Sequence, residues 1–149
     1  MTKKYSILLG LTVLTIILIS APVQAQNQPI QVALFNPIQI FPEDNNIEGF
    51  RLNLLYGRNA SVQGLDVGLV NHTTKGLSKG VQFGLFGMVD SDFTGLQINV
   101  VNVTKGKFEG LQFGFVNFAE SIKGLQIGFV NIINQGGAFP VFPIVNWSF

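Results

Sequence analysis

One histidine, His72, stands in the stretch HTTKG, and the chain has no cysteine. A zinc site wants several His or Cys ligands, so none can be assembled. In its turn-like setting His72 is expected to be a solvated loop residue. Gly76-Leu77-Ser78-Lys79-Gly80 spells the string of a nucleophile elbow. An elbow needs a strand, a sharp turn and a following helix. No helix is expected after Gly80, and His72 precedes the serine, against the order of the hydrolases that use the motif. Asp90 and Asp92 in VDSD are fewer oxygens than calcium takes and read as a solvated turn. Glu43 and Asp44 are paired acids, as in glycosidases, but adjacent acids beside Pro42 and two asparagines mark a loop. The sequons at Asn59, Asn71, Asn102 and Asn146 fall mostly where a repeat places asparagine. No residue is assigned a catalytic, cofactor-binding or metal-ligating role. The expectation is a non-enzyme with no cofactor.

The elements that would have to position such residues form a tandem repeat. Residues 110–117 read GLQFGFVN and 124–131 read GLQIGFVN. Upstream lie GLQINVVN (95–102), GVQFGLFG (80–87), GLDVGLVN (64–71) and GFRLNLLY (49–56). The pattern is G-h-Q-h-G-h-h-N, where h is apolar. PIQVALFN (29–36) and FPVFPIVN (139–146) are weaker copies at the two ends. Eight units of about 15 residues therefore start near 29, 49, 64, 80, 95, 110, 124 and 139, with one insertion, Pro37 to Asn46, after the first. A fixed period of this kind signals stacked repeats.

Each unit opens with a strand. Leu111, Phe113 and Phe115 alternate with Gln112 and Gly114, the period of a half-buried strand. The alternation slips at Val116 and Asn117, so the chain turns a corner there. Asparagine suits such a corner because it tolerates left-handed backbone and bonds its own neighbours. Ile122 is apolar before the next glycine, with Val62, Leu77, Phe93 and Phe108 as its equivalents. The apolar row of Phe113 and Phe115 is read as interior, where truncation of either to Ala costs about 3–5 kcal/mol.

The fold is thus all-β, and two architectures fit. In a β-solenoid each unit is one coil, like residues stack about 4.8 Å apart, and glutamines and asparagines form hydrogen-bonded ladders. The atypical end units suit capping repeats. The alternative is an eight-stranded antiparallel β-barrel, to which Val145, Trp147 and terminal Phe149 add an outer-membrane-type ending. Similarity between consecutive units favours the solenoid. A membrane barrel also needs an apolar band of about 25 Å with aromatic girdles, and the three-residue rows here are too short for that.

Composition agrees with a packed, exported chain. It is 47% hydrophobic and 11% charged, too apolar to be disordered. Basic residues are dispersed, so no nucleic-acid surface is expected. Lys3 and Lys4 precede an apolar run, Ile7 to Ile19, and Val23 and Ala25 are the small residues before a signal-peptidase cut. Residues 1–25 are read as a signal peptide, cleaved between Ala25 and Gln26, leaving 26–149 as one β-repeat domain. No cysteine follows the cut, so a lipid-modified N-terminus is not expected.

The G-h-Q-h-G-h-h-N repeats, the leader and the closing FPVFPIVNWSF together resemble the bacterial, Leptospira-type family of surface-repeat proteins. The resemblance runs from about Pro29 to Phe149. It implies an envelope or surface location and brings no biochemical activity with it. The functional expectation is an exported envelope protein, structural or partner-binding, located at the outer membrane, the surface or the periplasm. Its partner would be a protein or another envelope component. Gln82, Gln97, Gln112 and Gln126, together with intervening glycines, are read as a flat outward interaction face, unless the amides serve only to ladder with one another. A small integral outer-membrane barrel is the alternative.

Overall fold

A computed structural model describes residues 26–149. The expected signal segment and Ala25 lie outside the described residues. Eight strands follow in order: β1 (Asn27–Phe35), β2 (Ile38–Gln39), β3 (Asn46–Asn59), β4 (Ser61–Thr73), β5 (Ser78–Val89), β6 (Phe93–Phe113), β7 (Val116–Gln135) and β8 (Val141–Ser148). They form one sheet in the order β2-β1-β3-β4-β5-β6-β7-β8.

Pairing from β1 through β3 to β7 is parallel throughout. Parallel neighbours need a crossover of a dozen or more residues. Here no helix supplies it, and partners lie only 14 to 16 residues apart in most coils, as in Gly64↔Gly80, Gln82↔Gln97 and Gln112↔Gln126. The chain itself must therefore circle once per repeat. The result is a β-solenoid of about seven turns. An antiparallel barrel is overturned, because a barrel of successive strands would pair them antiparallel and close β1 onto β8. Among the described residues antiparallel pairing occurs only at the two ends, β2 on β1 and β8 on β7.

The two end units, expected to be atypical capping copies, differ from one another in kind. The seven units starting at 29 to 124 are coils. The last one folds back, so Asn146 lies opposite Gln126 and not over Asn131. Pro140 and Pro143 flank and interrupt β8, and prolines remove donors from an outer edge. The insertion after the first unit supplies β2 in the same capping role.

The repeat glycine that opens each coil after the first stands at a corner with positive φ, +132° at Gly110 for example. A Cβ there would run into the carbonyl oxygen of the preceding coil's glycine, so only glycine fits.

The interior has two unlike halves. One is apolar: Val89, Phe93, Phe108, Ala119, Ile122 and Ile133 are buried together. Phe93 and Phe108 stack with ring centroids 5.7 Å apart. Ser78, and not Leu77, takes this column in the fifth strand, pairing with Phe93. The 16-residue spacing of that unit hides the substitution, and Leu77 is exposed. The other half is polar. Gln82, Gln97, Gln112 and Gln126 are all buried, as are Asn71, Asn102, Asn117 and Asn131.

Candidate functional site

The expected ladders form, but inside the solenoid. Gln126 Nε2 donates to Gln112 Oε1 (2.7 Å), Gln112 to Gln97 (2.8 Å) and Gln97 to Gln82 (2.9 Å). Gln82 Nε2 ends the row by donating to Asp66 Oδ2 at 3.0 Å. Asn102 and Asn117 donate similarly to Asn117 and Asn131, both at 2.8 Å. Asparagine also pins the corner: Asn102 Nδ2 reaches the Phe113 carbonyl and Asn117 Nδ2 the Ile127 carbonyl, one coil on. Where the column carries Gly87, Asn99 fills the gap and donates to Asn102 Oδ1 at 2.6 Å.

Gln82, Gln97, Gln112 and Gln126 therefore do not form the outward interaction face expected of them. The physical reason is that alternation assigns residues to two faces without saying which is inside. Buried amides are tolerated when each finds a partner, and stacking at the coil repeat supplies one automatically.

What faces outward instead is the apolar set. Phe113 is 51%, Phe115 58% and Phe129 70% exposed. The rows run in register along the axis: Leu65 beside Val81, Val81 beside Leu96, Val67 beside Phe83, Phe83 beside Ile98, and Phe113 beside Ile127. At the corner two consecutive residues point out, as in Phe115 with Val116 and Phe129 with Val130. A second apolar row then continues through Met88, Val103 and Phe118. Two outward faces thus share one apolar edge. The segments Gly80–Val89, Gly95–Thr104, Gly110–Ala119 and Gly124–Ile133 contain no charged residue and no histidine. Of the nearby charges, Asp90 and Lys105 stand at the corner that ends the second face, where Asp90 reaches His72, and Lys79, Lys107, Glu109 and Lys123 lie beyond it.

A groove of about 430 Å³ runs along the first face beside the corner. Phe83, Ile98, Phe113 and Ile127 form one wall, and Val100, Phe115 and Phe129 the other. Gly84, Gly114 and Gly128 form the floor together with the backbone of Asn99, which holds the same place in its coil, and Ile144 of β8 stands at one end. A side chain on Gly114 or Gly128 would strike the preceding coil's backbone and an asparagine amide. The floor is therefore bare backbone, already hydrogen-bonded along the axis.

The sequence-identified polar residues are placed as follows. Ser78 faces inward, and its Oγ accepts the Val62 N–H at 3.2 Å. Asp92 Oδ1 accepts the Lys107 N–H at 2.7 Å. Glu43 pairs with Arg58 at 3.3 Å and Asp44 with Lys75 at 2.9 Å, so the two acids act in separate ion pairs. His72 is not a solvated loop residue. It lies in β4, where Nδ1 meets the Tyr56 hydroxyl at 2.8 Å and Nε2 meets Asp90 Oδ2 at 2.8 Å. Lys105 Nζ adds a third link to Asp90 at 2.7 Å. Burial raises the Tyr56 phenol above its ordinary value. Burial alone would also raise Asp90, but hydrogen bonds from Lys105 and His72 outweigh it and hold the carboxyl below its ordinary value. This chain of groups ties successive coils together. Among the described residues no cluster of three His, Cys, Asp or Glu side chains could hold a metal ion.

No protein-family model, curated protein or solved structure matches this chain. Sequence reasoning missed two features. The first is the outward direction of the apolar rows. The second is the buried pair Arg51–Asp66, whose two hydrogen bonds are both 2.7 Å. The second was visible as Arg and Asp replacing Gln at the third place of consecutive units, GFRL and GLDV.

Proposed function

We propose that this chain is an exported, non-enzymatic envelope protein that works by adhesion through its apolar double face. One observation carries the reading: two adjoining outward faces across four coils lack any charge and expose Phe, Leu, Ile and Val side chains. Exposed apolar surface of this extent is rare on soluble monomers and marks a contact with a protein or a membrane. The basic residues, apolar run and small residues of the first 25 positions support export. The likeness of the repeats to bacterial surface-repeat proteins supports an envelope location. No cofactor or nucleic acid has a part in this reading.

The test is a fractionation of the full-length chain in a Gram-negative host. Isolated envelopes are washed at alkaline pH, and pellet and wash are blotted. The chain should stay with the pellet and be released by detergent. A chain recovered wholly in the cytoplasm, the periplasm or the medium would sink the proposal.

A further inference from the structure

We infer that the counterpart of the double face is the hydrocarbon of a lipid leaflet, with the solenoid axis lying in the membrane plane and the charged side turned to water. The inference rests on the adhesive reading above and names its partner. Four features of the molecule favour lipid over a second copy or another folded protein.

The first is shape. Phe115 with Val116 and Phe129 with Val130 form a convex edge where the two apolar faces meet. A flat protein surface can cover one face and leaves the other in water. Fluid hydrocarbon covers both.

The second is backbone satisfaction. Within hydrocarbon every backbone polar group must be paired internally. In the apolar segments the pairing runs from coil to coil, for example Phe115 N–H to the Val100 carbonyl and Val130 N–H to the Phe115 carbonyl. Neither face therefore presents a row of free donors. The polar interior is held mainly by the glutamine and asparagine ladders, and the few acceptors left over, such as Asn99 Oδ1 and Gln126 Oε1, are buried away from the faces.

The third is depth. From Leu111 to Phe115 is four strand steps, about 13 Å at about 3.3 Å per residue. Half of a hydrocarbon core of about 30 Å is about 15 Å. The wedge fits one leaflet and does not span two. The groove beside the edge, floored by Gly84, Gly114 and Gly128, crosses four coils, about 14 Å at about 4.8 Å per coil. It carries no charge, its one polar side chain, Asn99, is buried beneath the floor, and it accepts an acyl chain laid along the axis.

The fourth is charge. On the third side and the corner before it, Lys75, Lys79, Lys105, Lys107 and Lys123 stand with Asp90, Asp92, Glu109 and Glu120. The signs nearly balance, so attraction to anionic headgroups is not what holds the protein. Edge-to-edge pairing with a second copy is disfavoured by the end strands and by Pro140 and Pro143.

The experiment is flotation of the chain recovered after export with phosphatidylcholine vesicles, in low and in high salt. The wild type should float in both. Phe113→Glu with Phe115→Glu should lower the floated fraction at least tenfold, and Phe129→Glu should act in the same direction. Lys107→Gln on the charged side should float like the wild type. Far-ultraviolet circular dichroism checks that the variants keep their strands. Wild-type chain that stays down, as a dimer or as a monomer by sedimentation, would overturn the lipid assignment. So would flotation unchanged in the double variant, which would place the contact elsewhere in the chain. Flotation that needs anionic lipid and disappears in salt would equally overturn it. Envelope retention in cells without flotation defeats only this inference, whereas loss of envelope retention defeats the adhesive reading itself.

Discussion

The coils opening at Gly80 to Gly124 and those opening at Gly49 and Gly64 carry different chemistry at the same inward place. In the first group four glutamines pass hydrogen bonds in one direction, each Nε2 donating to the preceding coil. In the second group the row meets Asp66, which accepts from Gln82 and is neutralised by Arg51. Both solutions are fully buried. An amide carries its own donor and acceptor, so it can repeat without limit. A row of donors pointing one way needs a final acceptor, and a carboxylate is a strong one. Once buried, that carboxylate needs a cation, and the coil before it supplies the guanidinium. The ion pair thus terminates the ladder and is not a defect in the repeat.

Breaking the termination should cost most. Asp66→Ala leaves the Arg51 guanidinium buried without its partner and removes the acceptor of Gln82. A loss of about 3–5 kcal/mol is expected for such a broken pair, read as a lowered urea midpoint. A loss below about 1 kcal/mol would mean that the pair is solvated and does not close the row.

Interrupting the ladder itself should cost less. Gln97→Leu removes a donor to Gln82, an acceptor from Gln112 and the acceptor of the Thr104 hydroxyl. Stranded buried polar groups cost about 1–3 kcal/mol, because each keeps some other contact, as Gln112 does with the Phe118 carbonyl at 3.2 Å. A neutral substitution would show that the interior amides are independent of one another.

The smallest effect in water should come from the outward row. Phe113→Ala changes a half-exposed side chain and should shift stability by about 0.5 kcal/mol or less. Phe108→Ala, in the apolar half of the interior, should cost about 3–5 kcal/mol. Equal losses from the two would restore the interior position that its apolar character suggested for Phe113.

Much of this architecture was legible residue by residue. The spacing of the opening glycines set the coil length, and Gly64, Gly80 and Gly95 do stack in register. The phase slip at Val116 and Asn117 located the corner. The recurrence of Gln and Asn announced ladders, because like residues at one place in successive coils must meet. Less legible was the closing unit, FPVFPIVN. It kept half the motif, yet its strand runs antiparallel as a cap. His72 was also opaque, since its partners Tyr56 and Asp90 come from the neighbouring coils and neither is a residue type that the repeat motif calls for.

Sequence by itself determined the period, the all-β class, the corner and the partition of each strand into an amide-bearing side and an apolar side. Only the tertiary structure decided which side is the inside. A period of two is blind to that choice, because exchanging the faces leaves the alternation unchanged. The decision depends on whether amides from separate coils lie close enough to satisfy one another, and that distance exists only once the coils are stacked. Their mutual pairing makes a polar interior tolerable and leaves Phe113, Phe115 and Phe129 outside.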